Sequence, residues 1–527
     1  MSAIVPVGLT SSEPTPGIFM EVNFGVGQSV GSGLTRAILC LANKLTGGSA
    51  NVETDIYGPD TDVQLQTESQ MIALAGAGSE AHRMFRRMAA ISGGQSGPPV
   101  YWLFVAESTG AQATGTITVS GTPTTGAFLR VWVGDEFADA NIGLSDTPTT
   151  IAAAAVTAIN AKTHWAVTAS SALGVITLTA KQKGLRGNSI RYMAAVISPN
   201  PSGVTTTVTT DSALTGGTVA DNNANALATL LPRWYYQIVS AADDATQVGA
   251  LSSQLGTQSL AINGIRQRAF FGSTNTLAGT ISIAIGINSP TVECIWSEKN
   301  PFTPAELAAN NAMVYAIEEA DELGFRTNFI GYGKSDRTRR NWKVPAPRLA
   351  SAWPSPASIR SALNNGITPI GIDTTTKSTS IVDRFTTRSL NGSQPDQRIR
   401  EAHKVTIAHR FADALGRAVA EAGEGKVIGD DPPPPLPPDP DTMTPNICKG
   451  IAFRIIDRFA ANSKLQKVDD IKAGTRVERQ QDPSSRMGFV VPLATVDNFR
   501  QAAIIVNQVA GILLAGGLSA ALFGPWS

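Results

Sequence analysis

Gly27-Gln28-Ser29-Val30-Gly31 has the GxSxG spacing of serine hydrolases, whose nucleophile needs a strand before it, a helix after it, and a histidine and an acid nearby. No clear strand precedes Ser29. Gly31 and Gly33 dilute the stretch that would have to be helix, and only His82, His164, His403 and His409 could serve as base. The expectation is a flexible glycine-rich arm. Gly76-Ala77-Gly78-Ser79-Glu80-Ala81 fits GxGxxA, which cradles a pyrophosphate when a strand precedes it and an acid follows about twenty residues on. Here the preceding QMIALA reads as easily as helix, and residues 92–100 contain no acid. A helix break leading into a Ser79-capped helix is expected instead.

Other candidates are weaker. Gly423-Glu424-Gly425-Lys426 lacks both the spacing and the hydroxyl residue of a phosphate loop. His403 and His409 are six apart and fall on different faces of a helix, so a shared metal is not expected. Cys40, Cys294 and Cys448 stand singly, without the spacing of a zinc site or a disulfide framework. Lys334, Arg337, Arg339, Arg340 and Lys343 surround Trp342 in what reads as a solvated or salt-bridging loop. No catalytic, cofactor-binding or metal-binding residues are therefore expected.

Composition agrees with a chain that meets other proteins. At 527 residues it is long enough for three or four domains. Its 42 basic and 42 acidic side chains cancel, so nothing steers it toward nucleic acid or an anionic membrane. The N-terminus lacks the basic start and apolar core of a secretory signal, so maturation in a cytoplasm is expected. Residues 502–523 approach membrane-spanning length, but Asn507, Gln508 and Ser519 interrupt them and Gly511, Gly516 and Gly517 dilute them. Burial against protein, not membrane anchoring, is the expectation.

The elements that would carry such surfaces alternate. Strands are expected at 34–42, 55–57, 100–106, 235–240, 265–272 and 281–286, and helices at 69–76, 79–90, 222–231, 245–255, 305–323, 403–422 and 445–461. Between them, from about Ser108 to Gly217, Thr, Gly, Val and Ser dominate in short β runs. One alanine-rich helix at 147–161 interrupts that block, with Thr147 as cap and Pro148 in its first turn. Residues 423–441, GEGKVIGDDPPPPLPPDPD, read as a stiff extended connector, and 476–479 and 487–492 as strands. Near the N-terminus, Ile18, Phe19, Met20, Glu21 and Val22 form an apolar patch walled off by Pro14, Pro16, Gly25 and Gly27, a strand with no local partner.

Residues 359–388, IRSALNNGITPIGIDTTTKSTSIVDRFTTR, are the most distinctive stretch. A helical turn stops at Asn364, Asn365 and Gly366, because glycine accepts the left-handed conformation that closes a helix. Ile367 opens an extended run, a polar turn reverses the chain, and 380–386 returns through Arg384 to Thr386 and Thr387. This order resembles the core of contractile phage tail sheath proteins, in particular the Mu-like form. Residues 16–21 look like that family's N-terminal arm, and 234–255 like its aromatic strand and helix. Residues 115–188 are similar to the β insertion of Mu-like members, and 477–486 to the family's ending.

The resemblance implies an α/β (α+β) multidomain protein with a layered core sheet, subtilisin-like but non-catalytic, and an inserted small β-rich domain. The organisation it suggests is an extended arm at 1–30, a core at 31–107 and 217–390, and an outer insertion at 108–216. A C-terminal domain at 391–500, with the Pro-rich connector 429–445, and an apolar arm at 501–527 complete it. It also implies hexameric rings of identical subunits, stacked helically around a tail tube protein and bounded by baseplate and terminator proteins, assembled in the host cytoplasm and carried in the virion. Neighbours in that family lend strands to one another. Here the lending strands fall on Ile18 to Val22, on Phe489, Val490 and Val491, and on Ile504, Ile505 and Val506. The alternatives are another phage shell component, capsid-like or adhesin-like, and an enzyme of the hydrolase or nucleotide-binding kind.

Overall fold

Alternation at a period of two, repeated from strand to strand, decides the architecture. The computed structural model describes residues 37–92, 98–198, 200–230, 233–260, 262–318, 344–396, 401–433, 437, 439–481 and 485–496. Ile38–Asn43 (β1), Ile56–Tyr57 (β2) and Val100–Val105 (β3) open the described chain. Gln112–Gly121 (β4), Ala127–Val133 (β5), Glu136–Ile142 (β6), Val167–Ala172 (β7), Val175–Lys183 (β8), Arg191–Ile197 (β9), Val204–Thr206 (β10) and Ser212–Ala213 (β11) follow. Gln237–Ser240 (β12), Arg268–Ser273 (β13), Val292–Trp296 (β14), Thr368–Ile372 (β15) and Thr379–Ile381 (β16) come next.

Eight of these strands make one sheet in the order β16-β15-β14-β13-β12-β1-β3-β2. From β15 to β3 every pairing is parallel, and the two edge strands β16 and β2 run antiparallel. Parallel strands need crossover helices, which cover both faces, so odd and even side chains along a strand join different cores. Ile38, Cys40, Trp102, Phe104, Val239 and Phe270 face Met71, Met84, Met88 and Leu307 of three helices, Glu68–Ala75, Glu80–Ser92 and Pro304–Glu318. Their neighbours Leu39, Leu41, Leu103, Ile238 and Phe271 face Leu227, Val248, Leu251 and Leu255 of two others, Ala224–Thr229 and Ala245–Gln258.

Residues 281–286, expected as a strand, are helix. The element is Leu277–Ile287, capped where the Gly279 amide donates to Thr276 Oγ1 and ended by Asn288 in the left-handed region. A short apolar run does not distinguish strand from helix, and the parallel step from β13 to β14 demands a crossover. The return at 380–386 is also shorter than expected. Regular pairing ends at Ile381, and beyond it Thr386 makes a single antiparallel bridge to Glu293 of β14.

The block between β3 and β12 is a sandwich of two four-stranded sheets, β10-β4-β8-β7 and β11-β9-β5-β6. Ile117, Leu129, Val131, Ile176 and Leu178 alternate inward, and Ile151, Ala155 and Ile159 of the helix Pro148–Asn160 complete the core. That helix starts at a capping box, Thr147 with Thr150. No residue is shared between this core and the cores of the large sheet. Fully burying each large aliphatic side chain is worth roughly 1.5–3 kcal/mol, so the sandwich has its own driving force and the surface between it and the large sheet is free to be polar.

After β16 the helices Ala402–Gly423, Pro445–Ala461 and Val468–Gly474 gather Phe411, Ile451, Ile455 and Phe459 into a separate core, with Phe411 and Phe459 edge to face at 5.4 Å. The proline-rich connector is anchored at both ends. Val427–Ile428 pairs in parallel with Thr442–Met443, so the two ends of the connector lie side by side. Turn bonds at Asp439, accepting from Asp441 and Thr442, bring the chain back.

Candidate functional site

In a doubly wound sheet a ligand enters where the order of strands reverses, at the carboxyl ends of the two strands that flank the reversal. Counted along the chain, the parallel strands lie in the order 2-1-3-4-5-6, so that place falls between β1 and β12. Asn43 ends β1, and Asp243 follows β12. Glu80, at the start of Glu80–Ser92, and Asp221, on the segment leaving the sandwich, close the other sides.

The crevice is already filled by the protein. Arg186, in the turn Leu185–Ser189 between β8 and β9, enters it from the sandwich, contacting Glu80 and placing Nε 2.5 Å from Asp221. Asn43 holds both carboxylates in place, donating from its side chain to Asp221 at 2.8 Å and from its backbone to Glu80 at 3.2 Å. The Ser108 amide donates to Asp221 at 3.1 Å. Burial pushes the Glu80 carboxyl up despite Arg186, and pushes Asp243 up to about 6. Burial also works against the charge of Arg186, yet Glu80, Asp221 and Asp243 together raise its pKa above the ordinary value.

The GxGxxA segment sits beside this crevice with a different purpose. It joins two helices, Glu68–Ala75 and Glu80–Ser92, and Ser79 caps the second by accepting from the His82 amide at 3.0 Å. Gly78 has φ +80, and a β-carbon there would lie 2.2 Å from the Trp165 carbonyl oxygen of the sandwich. Lys181 of β8 donates to the Ala77 carbonyl at 3.2 Å. Gly78 admits a neighbouring backbone rather than a phosphate, and Gly76, with φ +88, turns against the Leu45 side chain.

The rest of this junction is a charged crease. Arg86 meets Glu136 at 3.0 Å, Arg87 meets Asp135 at 2.6 Å and Glu306 at 2.9 Å, and Arg348 meets Asp211 at 2.7 Å. A small cleft lined by Arg83, Glu136, Arg191 and Glu306 remains between them. Burial opposes ionisation of Glu136 and Glu306, but His164 and Trp165 on the first and Arg87 and Arg83 on the second bring each down to about 2.

The histidines are taken. His82 accepts from the Gly78 amide at 3.0 Å and pairs with Glu68 at 2.9 Å, His164 pairs with Glu136 at 2.6 Å, and burial drives His409 down to about 3. All three cysteines are buried and free. No group of three or more His, Cys, Asp or Glu side chains among the described residues is arranged to hold a metal ion, and no helix among them is long and apolar enough to cross a membrane. Ser29 and its GxSxG, Lys334 to Lys343, Ile18 to Val22 and Ile504 to Val506 lie outside the described residues.

The motif at 359–388 comes together at the edge of β14. The helix Pro356–Asn364 ends at Asn365, and Gly366 turns with φ +72 against the backbone of Thr386 and Thr387. Ile367 is fully buried beside Ala362 and Trp296. Thr387 donates from its amide to Val292 at 2.8 Å, and Arg384 reaches Glu293 at 2.8 Å. Glu293 also takes Arg268 at 3.1 Å and Asn311 at 3.0 Å, inside the protein. The residues 268, 293 and 311 of this network carry no sequence signal of their own. Phe489 and Val490 pair with Val477 and Arg476 of the same chain in a two-stranded ribbon, and Val491 follows it.

No protein-family model matches this chain. No curated protein matches it either. Among the solved structures it resembles are two sheath tail proteins. The crystal structure of the sheath tail protein Lin1278 from Listeria innocua is 9% identical, at a TM-score of 0.45, over 89% of this chain and 96% of that one. The sheath tail protein DSY3957 from Desulfitobacterium hafniense is 10% identical, at 0.44, over 92% of this chain and 100% of that one.

Proposed function

We propose that this chain is a structural subunit of a contractile phage tail sheath. The observation that carries the reading is the order of residues 359–388, a helix stop, strand, turn and Arg-Phe-Thr-Thr return that resembles the sheath core. The occupied crevice supports it too, since the place where a doubly wound sheet takes a ligand is filled by Arg186.

In this proposal the subunits form hexameric rings stacked around a tube protein, between baseplate and terminator, and contraction from a metastable extended state drives the tube forward. The layered sheet is a subtilisin-like core without catalysis. The terminal arms, Ile18 to Val22 and Ile504 to Val506, link neighbours by adding strands to their sheets, and Phe489 to Val491, paired on one edge within its own chain, offers the other edge to a neighbour. The subunit works in the virion after assembly in the host cytoplasm.

Negative-stain micrographs of the purified protein test this. Helical tubes are expected. Closed shells would favour a capsid-like role, and a monomer stable at high concentration would overturn the proposal.

A further inference from the structure

We propose that the crevice between β1 and β12 is a guanidinium-binding site, occupied in cis by Arg186, and that its occupancy fixes the sandwich to the large sheet. The receptor is built from three stretches of the core. Glu80 and Asp221 supply nearly fully buried carboxylates, and Asn43 orients both through bonds from its side chain and backbone. Asp243 adds a third acidic group close enough to act on the Arg186 charge. A planar, permanently charged fork can meet two separate carboxylates at once, which the compact ammonium of lysine does less well.

The turn that carries Arg186 is also where the two chain crossings between core and sandwich are tied. Gly184 donates to the Ala111 carbonyl at 3.0 Å, and Leu185 to the Val219 carbonyl at 3.1 Å. Asn188 exchanges two bonds with Gly217, at 2.9 and 3.0 Å. Ser108 bonds the Val219 carbonyl at 2.9 Å. Withdrawing the guanidinium therefore loosens both crossings at once, because the turn that seats it is the common partner of both. The rest of the junction, Gly78 against Trp165 and the charged crease, touches neither crossing, so the loosening is expected at the crossings themselves.

The test is hydrogen–deuterium exchange on the full-length protein, comparing wild type with Arg186→Ala. Exchange in residues 108–111, 183–190 and 217–221 is expected to rise about tenfold or more, while β12 to β14 stay protected. Methylguanidinium added to the variant should restore protection saturably, and methylammonium at equal ionic strength should restore it less. Arg186→Lys should fall between the two proteins. Unchanged exchange in Arg186→Ala, or equal rescue by both cations, would overturn the proposal. If Arg186→Ala does not fold, Asp221→Asn, which keeps the shape and removes one carboxylate, must show the same local loosening, and its failure to do so counts equally against the site. The outcome is independent of whether the chain polymerises into tubes.

Discussion

Gly366 and Thr386 touch backbone to backbone: a β-carbon on Gly366 would sit 2.6 Å from the Thr386 carbonyl oxygen. The two residues lie on either side of the strand β15 and its return, and their approach lets both segments share the edge of β14.

Gly366→Ala is therefore expected to destabilise the protein by at least about 2 kcal/mol. The left-handed conformation costs about 1–2 kcal/mol for a residue with a side chain, and the contact with Thr386 adds to it. A urea midpoint shared with wild type would remove Gly366 from this role.

Glu293 lies between Arg268 and Arg384, with both guanidinium groups buried around it. Glu293→Gln should cost about 3–5 kcal/mol, because two buried cations lose the carboxylate they share. Equilibrium denaturation reads this directly, and a loss below about 1 kcal/mol would mean that other groups carry the balance.

The carboxylates give stability two opposed dependences on pH. Glu136 and Glu306, held near 2, add stability that is complete above their ordinary value of 4.5 and is lost as pH falls toward 2. Asp243 and Asp413, raised from 3.8 to about 6 by burial, favour the folded state while protonated, and that contribution is lost as pH rises through 6. Melting temperature against pH should thus show Glu136→Gln flattening the acid limb and Asp413→Asn flattening the decline toward pH 6. Identical profiles for wild type and both variants would contradict these environments.

Deleting residues 1–24 should abolish tubes while leaving a soluble protein with wild-type circular dichroism. Tubes of unchanged appearance would show that the N-terminal segment does not link subunits.

Local signals in the sequence located many elements and missed what holds them together. Thr444 followed by Pro445 announces the helix Pro445–Ala461, and Thr147 with Pro148 announces Pro148–Asn160, because caps are written in adjacent residues. The run at 281–286 misled because its branched apolar residues suit both states until the parallel strand pairing chooses. The Arg186 crevice was not legible at all. Asn43 and Asp221 lie 178 positions apart and Glu80 and Arg186 lie 106 apart, so no window of sequence holds a pair. Within the motif at 359–388, Gly366 was legible as a helix stop, but its closeness to Thr386 emerges only from the fold.

The burial of Cys40, Cys294 and Cys448 has a practical side. Desolvation pushes all three thiols up, Cys448 to about 11, so none supplies much thiolate to a reagent at neutral pH. Leu173, at the turn between β7 and β8, is 91% exposed. A Leu173→Cys substitution thus gives maleimide dyes or spin labels one dominant attachment point without first stripping the native cysteines. The protein comes ready for spectroscopy that follows the tip of the sandwich.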